Sequence, residues 1–139
     1  MVSNIHASCL VVKNKGFLIL GDSGSGKSDL CLRLIMEHGA KLVSDDRTDI
    51  SIKKQNIYAS APKLLQGLLE VRGVGIIKQN FAKRAKIDAV IGLEPSLDKI
   101  ERMPKEDFFE IEGQRLPLYK IFAKEASAPA KVLAIISLL

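Results

Sequence analysis

Residues 21–28 read Gly-Asp-Ser-Gly-Ser-Gly-Lys-Ser, and no other stretch constrains the fold as tightly. The pattern G-x-x-x-x-G-K-S is that of a phosphate-binding loop. Its spelling follows from physics. Glycine has no Cβ, so the backbone can wrap closely around phosphate oxygens. Successive amide N–H groups then converge into an anion-binding nest. A helix starting near Lys27 would point its positive end at the same anion. Lys27 offers a full charge to the β- and γ-phosphates, and Ser28 a hydroxyl to Mg²⁺. The flanks fit the motif. Gly16-Phe17-Leu18-Ile19-Leu20 reads as a buried strand. Residues 29–36 read as a helix with Leu30, Leu34 and Ile35 on one face and Gly39 as its C-cap.

At 139 residues the chain is read as one domain, residues 1–139, long enough to build a core without disulfide staples. Hydrophobic residues make up 47% and charged residues 27%, a balance that excludes a disordered chain. Cys9 and Cys31 lack the spacing of a metal or redox pair, so they read as two buried thiols in a reducing compartment. No signal peptide and no membrane-length apolar run is visible. The net charge of +5 permits an acidic partner. Five Phe, two Tyr and no Trp, all scattered, argue against a stacking surface for nucleic acid.

Along the chain, residues 5–13 read as a first strand and 14–16 as a turn into the strand before the loop. His6 stands near the start of that first strand. Lys41-Leu42-Val43-Ser44 is a short strand running straight into Asp45-Asp46. Carboxylates at the carboxyl end of a strand lie where open α/β sheets bind ligands. From position alone, either aspartate can serve as base or as an orienting group. Residues 49–52 and 57–61 read as strands about a turn at 53–56. Leu64, Leu65, Leu68 and Leu69 are spaced as the buried face of a helix. In Leu69-Glu70-Val71-Arg72-Gly73-Val74-Gly75-Ile76-Ile77, Glu70 and Arg72 alternate with apolar residues before a glycine bend. The basic stretch 78–86 reads as a solvated face. Residues 87–93 form a strand and 96–107 a polar loop. Residues 131–139 fit a strand or a helix equally well.

These spacings together resemble the catalytic domain of the HPr kinase/phosphorylase family. The resemblance rests on residues 21–28, on Leu42-Val43-Ser44-Asp45-Asp46-Arg47, on residues 69–77, and on His6 upstream of the loop. It implies an α/β fold with a mixed sheet around the loop helix, similar to the nucleotide domain of phosphoenolpyruvate carboxykinase. It implies ATP-dependent phosphorylation of a serine on the phosphocarrier HPr, a cytoplasmic enzyme regulating the phosphotransferase system, and a homo-oligomer, often a hexamer. Residue by residue, Gly21, Asp22, Ser23, Gly24, Ser25, Gly26, Lys27 and Ser28 would hold ATP, with Lys27 also catalytic. Ser28 and Glu70 would bind Mg²⁺. Asp45 would take the proton of the target serine, with His6 beside it. Arg72 and Arg102 would complete the active site. The chain resembles the short forms that carry the kinase domain alone. Residues 122–131 depart from the glycine- and arginine-bearing loop the family uses to remove phosphate.

Competing readings are a small-molecule kinase, for which only residues 83–86 could supply a basic lid, and a non-catalytic nucleotide sensor or assembly module. A GTPase is argued against, because the only Asn-Lys, at Asn14-Lys15, precedes the loop and lacks the following Asp.

Overall fold

A computed structural model describes residues 2–139. Strands β1 (Val2–His6) and β2 (Ser8–Val12) are followed by β3 (Lys15–Leu20), helix α1 (Lys27–His38), β4 (Lys41–Ser44), β5 (Arg47–Lys53) and β6 (Asn56–Ser60). Then come β7 (Leu68–Val71), β8 (Gly75–Lys78), β9 (Ala85–Lys86), β10 (Ala89–Leu93), β11 (Phe108–Ile111), β12 (Gln114–Ile121) and helix α2 (Ala128–Ile136).

A six-stranded mixed sheet, ordered β11-β12-β10-β3-β2-β4, is the centre of the fold. β10 is parallel to both β3 and β12, while β2 is antiparallel to both β3 and β4. Hence β3, β4, β10 and β12 all end on one edge of the sheet. Period-two alternation sends their side chains to two separate cores. Leu10, Val12, Phe17, Ile19, Leu42 and Ile91 pack with Leu30, Cys31 and Leu34 of α1 and Val132 and Ile135 of α2. On the other face Cys9, Leu18, Val43 and Val90 pack with Ile50, Ile57 and Ala59 from a four-stranded sheet, ordered β1-β5-β6-β9. The helices therefore cover one face of the mixed sheet and the second sheet covers the other.

Three hairpins close with two-residue loops: Lys13-Asn14, Lys54-Gln55 and Glu112-Gly113, all at positive φ. Positive φ at both loop residues gives a turn whose twist matches the flanking strands.

The structure corrects two sequence expectations and decides a third that was open. The strand expected over residues 5–13 is broken at Ala7, and its halves join different sheets. The buried Thr48 hydroxyl donates to Ala7 O at 2.8 Å and satisfies the backbone at the break. The leucines from 64 to 69 form no helix. After Pro62 there is one 3₁₀ turn, Lys63–Leu65, which leaves Leu64 89% exposed, and Leu68 and Leu69 enter β7. Pairing with β8 satisfies more of that backbone than a short leucine helix would. Residues 131–139, open between strand and helix, contribute to α2, whose Pro129 in the first turn suits a helix start.

Gly16 shows how closely the layers approach. A Cβ there would lie 2.0 Å from Lys86 O. Its N–H donates to Asp88 Oδ2 at 2.9 Å, and Asp88 N–H donates to Gly16 O at 2.8 Å. Backbone is the obstacle, so no side-chain rotation can relieve the clash. Gly16→Ala is expected to lower stability by at least about 2 kcal/mol, measured from the urea midpoint at unchanged m-value.

Candidate active site

The site forms where β3, β4 and β10 end. β3 stops at Leu20 and the chain turns through residues 21–26 into α1, whose first residue is Lys27. Gly26 caps this helix at φ 99°, a left-handed conformation that strains any residue with a Cβ. At Gly21 a Cβ would lie 2.4 Å from Ser25 Oγ, so the loop packs tightly against this glycine and a side chain there would displace the Ser25 hydroxyl. The buried Ser25 hydroxyl has no hydrogen-bond partner among the described residues. Close backbone approach, a helix start and an unpaired hydroxyl together fit a phosphate group.

Lys27 is buried, and its Nζ donates to Gly21 O at 2.7 Å and Asp22 O at 3.3 Å. Among the described residues it forms no ion pair with a carboxylate. Its charge is held over the loop by neutral acceptors and stays uncancelled. Asp22–Ser25, Leu93, Glu94, Pro95, Phe122 and Lys124 line a cleft of about 240 Å³ beside the loop.

β4 delivers Asp45 and Asp46 to the same edge, and their surroundings differ sharply. Asp45 is 8% exposed. Its Oδ1 accepts the Ser28 hydroxyl at 2.8 Å and the Ser8 hydroxyl at 3.0 Å, and its Oδ2 accepts Glu70 N–H at 3.3 Å. Asp46 has a 65% exposed side chain, and its Oδ1 lies 2.7 Å from His6 Nε2. Its backbone is left-handed, at φ 66°. The structure therefore corrects the expectation that His6 sits beside Asp45: His6 contacts Asp46. The cause is the break at Ala7. His6 lies at the end of β1, in the second sheet, paired with Arg47 across β5, which starts one residue after Asp46.

Glu70 lies on β7, with its side chain exposed and its amide on Asp45. Arg72 is exposed in the β7–β8 turn, and Glu70 and Arg72 form no ion pair among the described residues. Arg102 is exposed in the 100–107 loop, and among the described residues it forms no ion pair with the aspartates. Among the described residues no group of three or more His, Cys, Asp and Glu side chains could enclose a metal ion alone. The donors at hand, a serine hydroxyl and carboxylates, are all oxygen. They suit a cation that keeps waters and takes its other ligands from phosphate.

The profile of the HPr Serine kinase C-terminal domain matches residues 1–137. The chain belongs to that family. An HPr kinase/phosphorylase of Bordetella avium is 34% identical over 135 residues, covering 90% of this chain and 43% of the relative. One from Pediococcus pentosaceus is 48% identical over 75 residues, 53% of this chain and 24% of the relative. The chain thus spans less than half the length of these relatives. A solved structure titled Hpr(Ser) kinase/phosphatase from Coxiella burnetii superposes with a TM-score of 0.85 at 25% identity, covering 98% of this chain and 95% of that one. The shared fold is α/β with a mixed sheet.

Ser8 is the site residue that sequence reasoning missed. The sequence offers only a lone hydroxyl among apolar neighbours in a strand, too common a pattern to mark a site. In this kinase-family domain the departing segment 122–131 is also anchored to α1. Arg33 donates to Glu125 O at 3.2 Å and to Ala123 O, and Lys131 pairs with Glu125 at 2.6 Å.

Burial pushes both thiols far above their ordinary range, and for Cys31 the Asp45 carboxylate adds to the effect of burial. Only the thiolate is reactive. The native protein at pH 8 is therefore expected to resist an aromatic disulfide reagent, with both thiols reacting at once in denaturant; absorbance of the released thiolate measures this.

Proposed function

We propose that this domain transfers the γ-phosphoryl group of Mg-ATP to a protein serine, the acceptor being HPr, as the names of its relatives suggest. The observation that carries this reading is the division of the two aspartates: Asp45 is buried on the loop serine, whereas Asp46 is exposed and paired with His6. A nucleotide sensor needs the first and has no use for the second.

The assignment of the base moves accordingly. Asp45 already accepts three donors and is nearly sealed from solvent. Its role is to hold the Ser28 hydroxyl so that the oxygen lone pairs face outward. Asp46 is the reachable carboxylate and takes the proton of the incoming serine. His6 orients it through one oxygen and leaves Oδ2 for the substrate. General base assistance of this kind contributes about 10²–10⁴-fold.

Phosphoryl transfer otherwise depends on positioning and on charge stabilisation. The loop amides and Lys27 bind the phosphates, and the uncancelled Lys27 charge meets the negative charge that builds on them. Ser28 and Glu70 would hold the divalent cation. The cation, when bound, neutralises phosphate oxygens. Arg72 stands on an exposed turn where a guanidinium fork suits equatorial phosphate oxygens, and Arg102 is assigned here only by family resemblance. The same reading includes a phosphoenolpyruvate carboxykinase-like nucleotide fold, a cytoplasmic setting and a homo-oligomer. Exposed Val74 and Ile76 offer apolar surface of the kind that subunits bury.

Labelled γ-phosphate transfer to HPr, with an HPr variant lacking the acceptor serine as control, tests the reading. Asp46→Asn is expected to bind ATP normally and lose transfer by about 100-fold or more. Asp45→Asn is expected to weaken Mg-dependent ATP affinity as well. Full transfer by Asp46→Asn would remove the base assignment, and absence of label on wild-type HPr despite ATP binding would remove the kinase reading.

A further inference from the structure

We infer that Ser8 is a positioning residue for phosphoryl transfer, acting through Asp46. This rests on the kinase reading above and extends it to a residue outside the loop and the aspartate pair.

Ser8 begins β2, which runs antiparallel to β3 and β4 and so starts at the edge where they end. It is fully buried. A register shift between Cys9 and Leu10 in the β2–β4 pairing bends the strand next to it, a feature that re-aims side chains at strand ends. The proton directions at Ser8 follow from its partners. Asp46 N–H, 3.2 Å away, can only donate, so Ser8 Oγ accepts there. Its own proton goes to Asp45 Oδ1, 3.0 Å away. One hydroxyl thus fixes the side chain of the first aspartate and the backbone of the second.

The second contact matters for chemistry. Asp46 sits at φ 66°, a conformation that costs about 1–2 kcal/mol for a residue with a Cβ. An amide left without an acceptor there would relax toward the extended region. The carboxylate would then swing off His6 and away from the loop. A misplacement of about 1 Å in a reacting group can cost about 100-fold in rate. Ser8 has no path to the substrate itself, being buried behind both aspartates. Its effect on turnover must travel through them.

The experiment is a double-mutant cycle on transfer from Mg-ATP to HPr, with ATP affinity measured in parallel. Ser8→Ala is expected to lower kcat about 10–100-fold while changing the ATP Kd less than about threefold. Ser8→Thr, which keeps the hydroxyl, is expected to restore kcat to within about threefold of wild type. In an Asp46→Asn background, adding Ser8→Ala is expected to change the residual rate less than about twofold, because the carboxylate it positions is already gone. Where the Ala variant does not fold, the Thr and Val variants differ only by the hydroxyl and carry the same comparison. Wild-type kcat in Ser8→Ala, or an equal proportional loss in both backgrounds, overturns the role of Ser8. Absence of transfer by the wild-type protein, with ATP bound, overturns the kinase reading, and the role of Ser8 with it.

Discussion

One buried carboxylate organises the active edge of this domain. Asp45 accepts hydrogen bonds from the start of β2, the first turn of α1 and the amide of Glu70 on β7. These segments come from three places in the sequence. Each contact is made to a carboxylate largely shielded from water, where losing a partner is costly. The phosphate loop cannot shift relative to β7 without breaking one of them. The loop's own geometry, set by glycine and the helix start, is thereby locked to the acid pair rather than merely placed near it.

The electrostatic arrangement follows from that lock. Asp45, Asp46 and Glu70 put negative charge close to a loop suited to an anion. Lys27 could have neutralised one of them and did not, since its ammonium is bonded to the carbonyls of Gly21 and Asp22. Under the proposed reading, a phosphate-bearing ligand would meet that positive charge and the carboxylates would face a divalent cation.

The local chemistry of the phosphate loop was legible in the sequence because it depends on residues adjacent in the chain. Gly21 through Ser28, the strand before them and the helix after them are one continuous piece. The apolar runs of β3 and β10 were equally readable as strands, though which face met which layer was not. The break at Ala7 was invisible, because its apolar neighbours continue the strand pattern and the stabilising Thr48 hydroxyl lies 41 residues away. With the break missed, the pairing of His6 with Asp46 could not be found. The leucines at 64–69 misled for the opposite reason: helical spacing was present, but pairing with β8 satisfied the backbone better. Ser8 escaped because a hydroxyl in a strand carries no meaning until its partners are known.

The left-handed backbone at Asp46 also bears on how such a domain can drift. Gly, Asn and Asp adopt this conformation most readily, although Lys13, Lys54, Gln55 and Glu112 hold it in the hairpin loops of this chain. If Asp46 is the base proposed above, a lineage that abandons transfer while keeping nucleotide would lose this carboxylate at least backbone cost through Asn or Gly. Such a change would be recognisable in sequence. It would leave the phosphate loop, Ser8 and Asp45 intact and change a single exposed position.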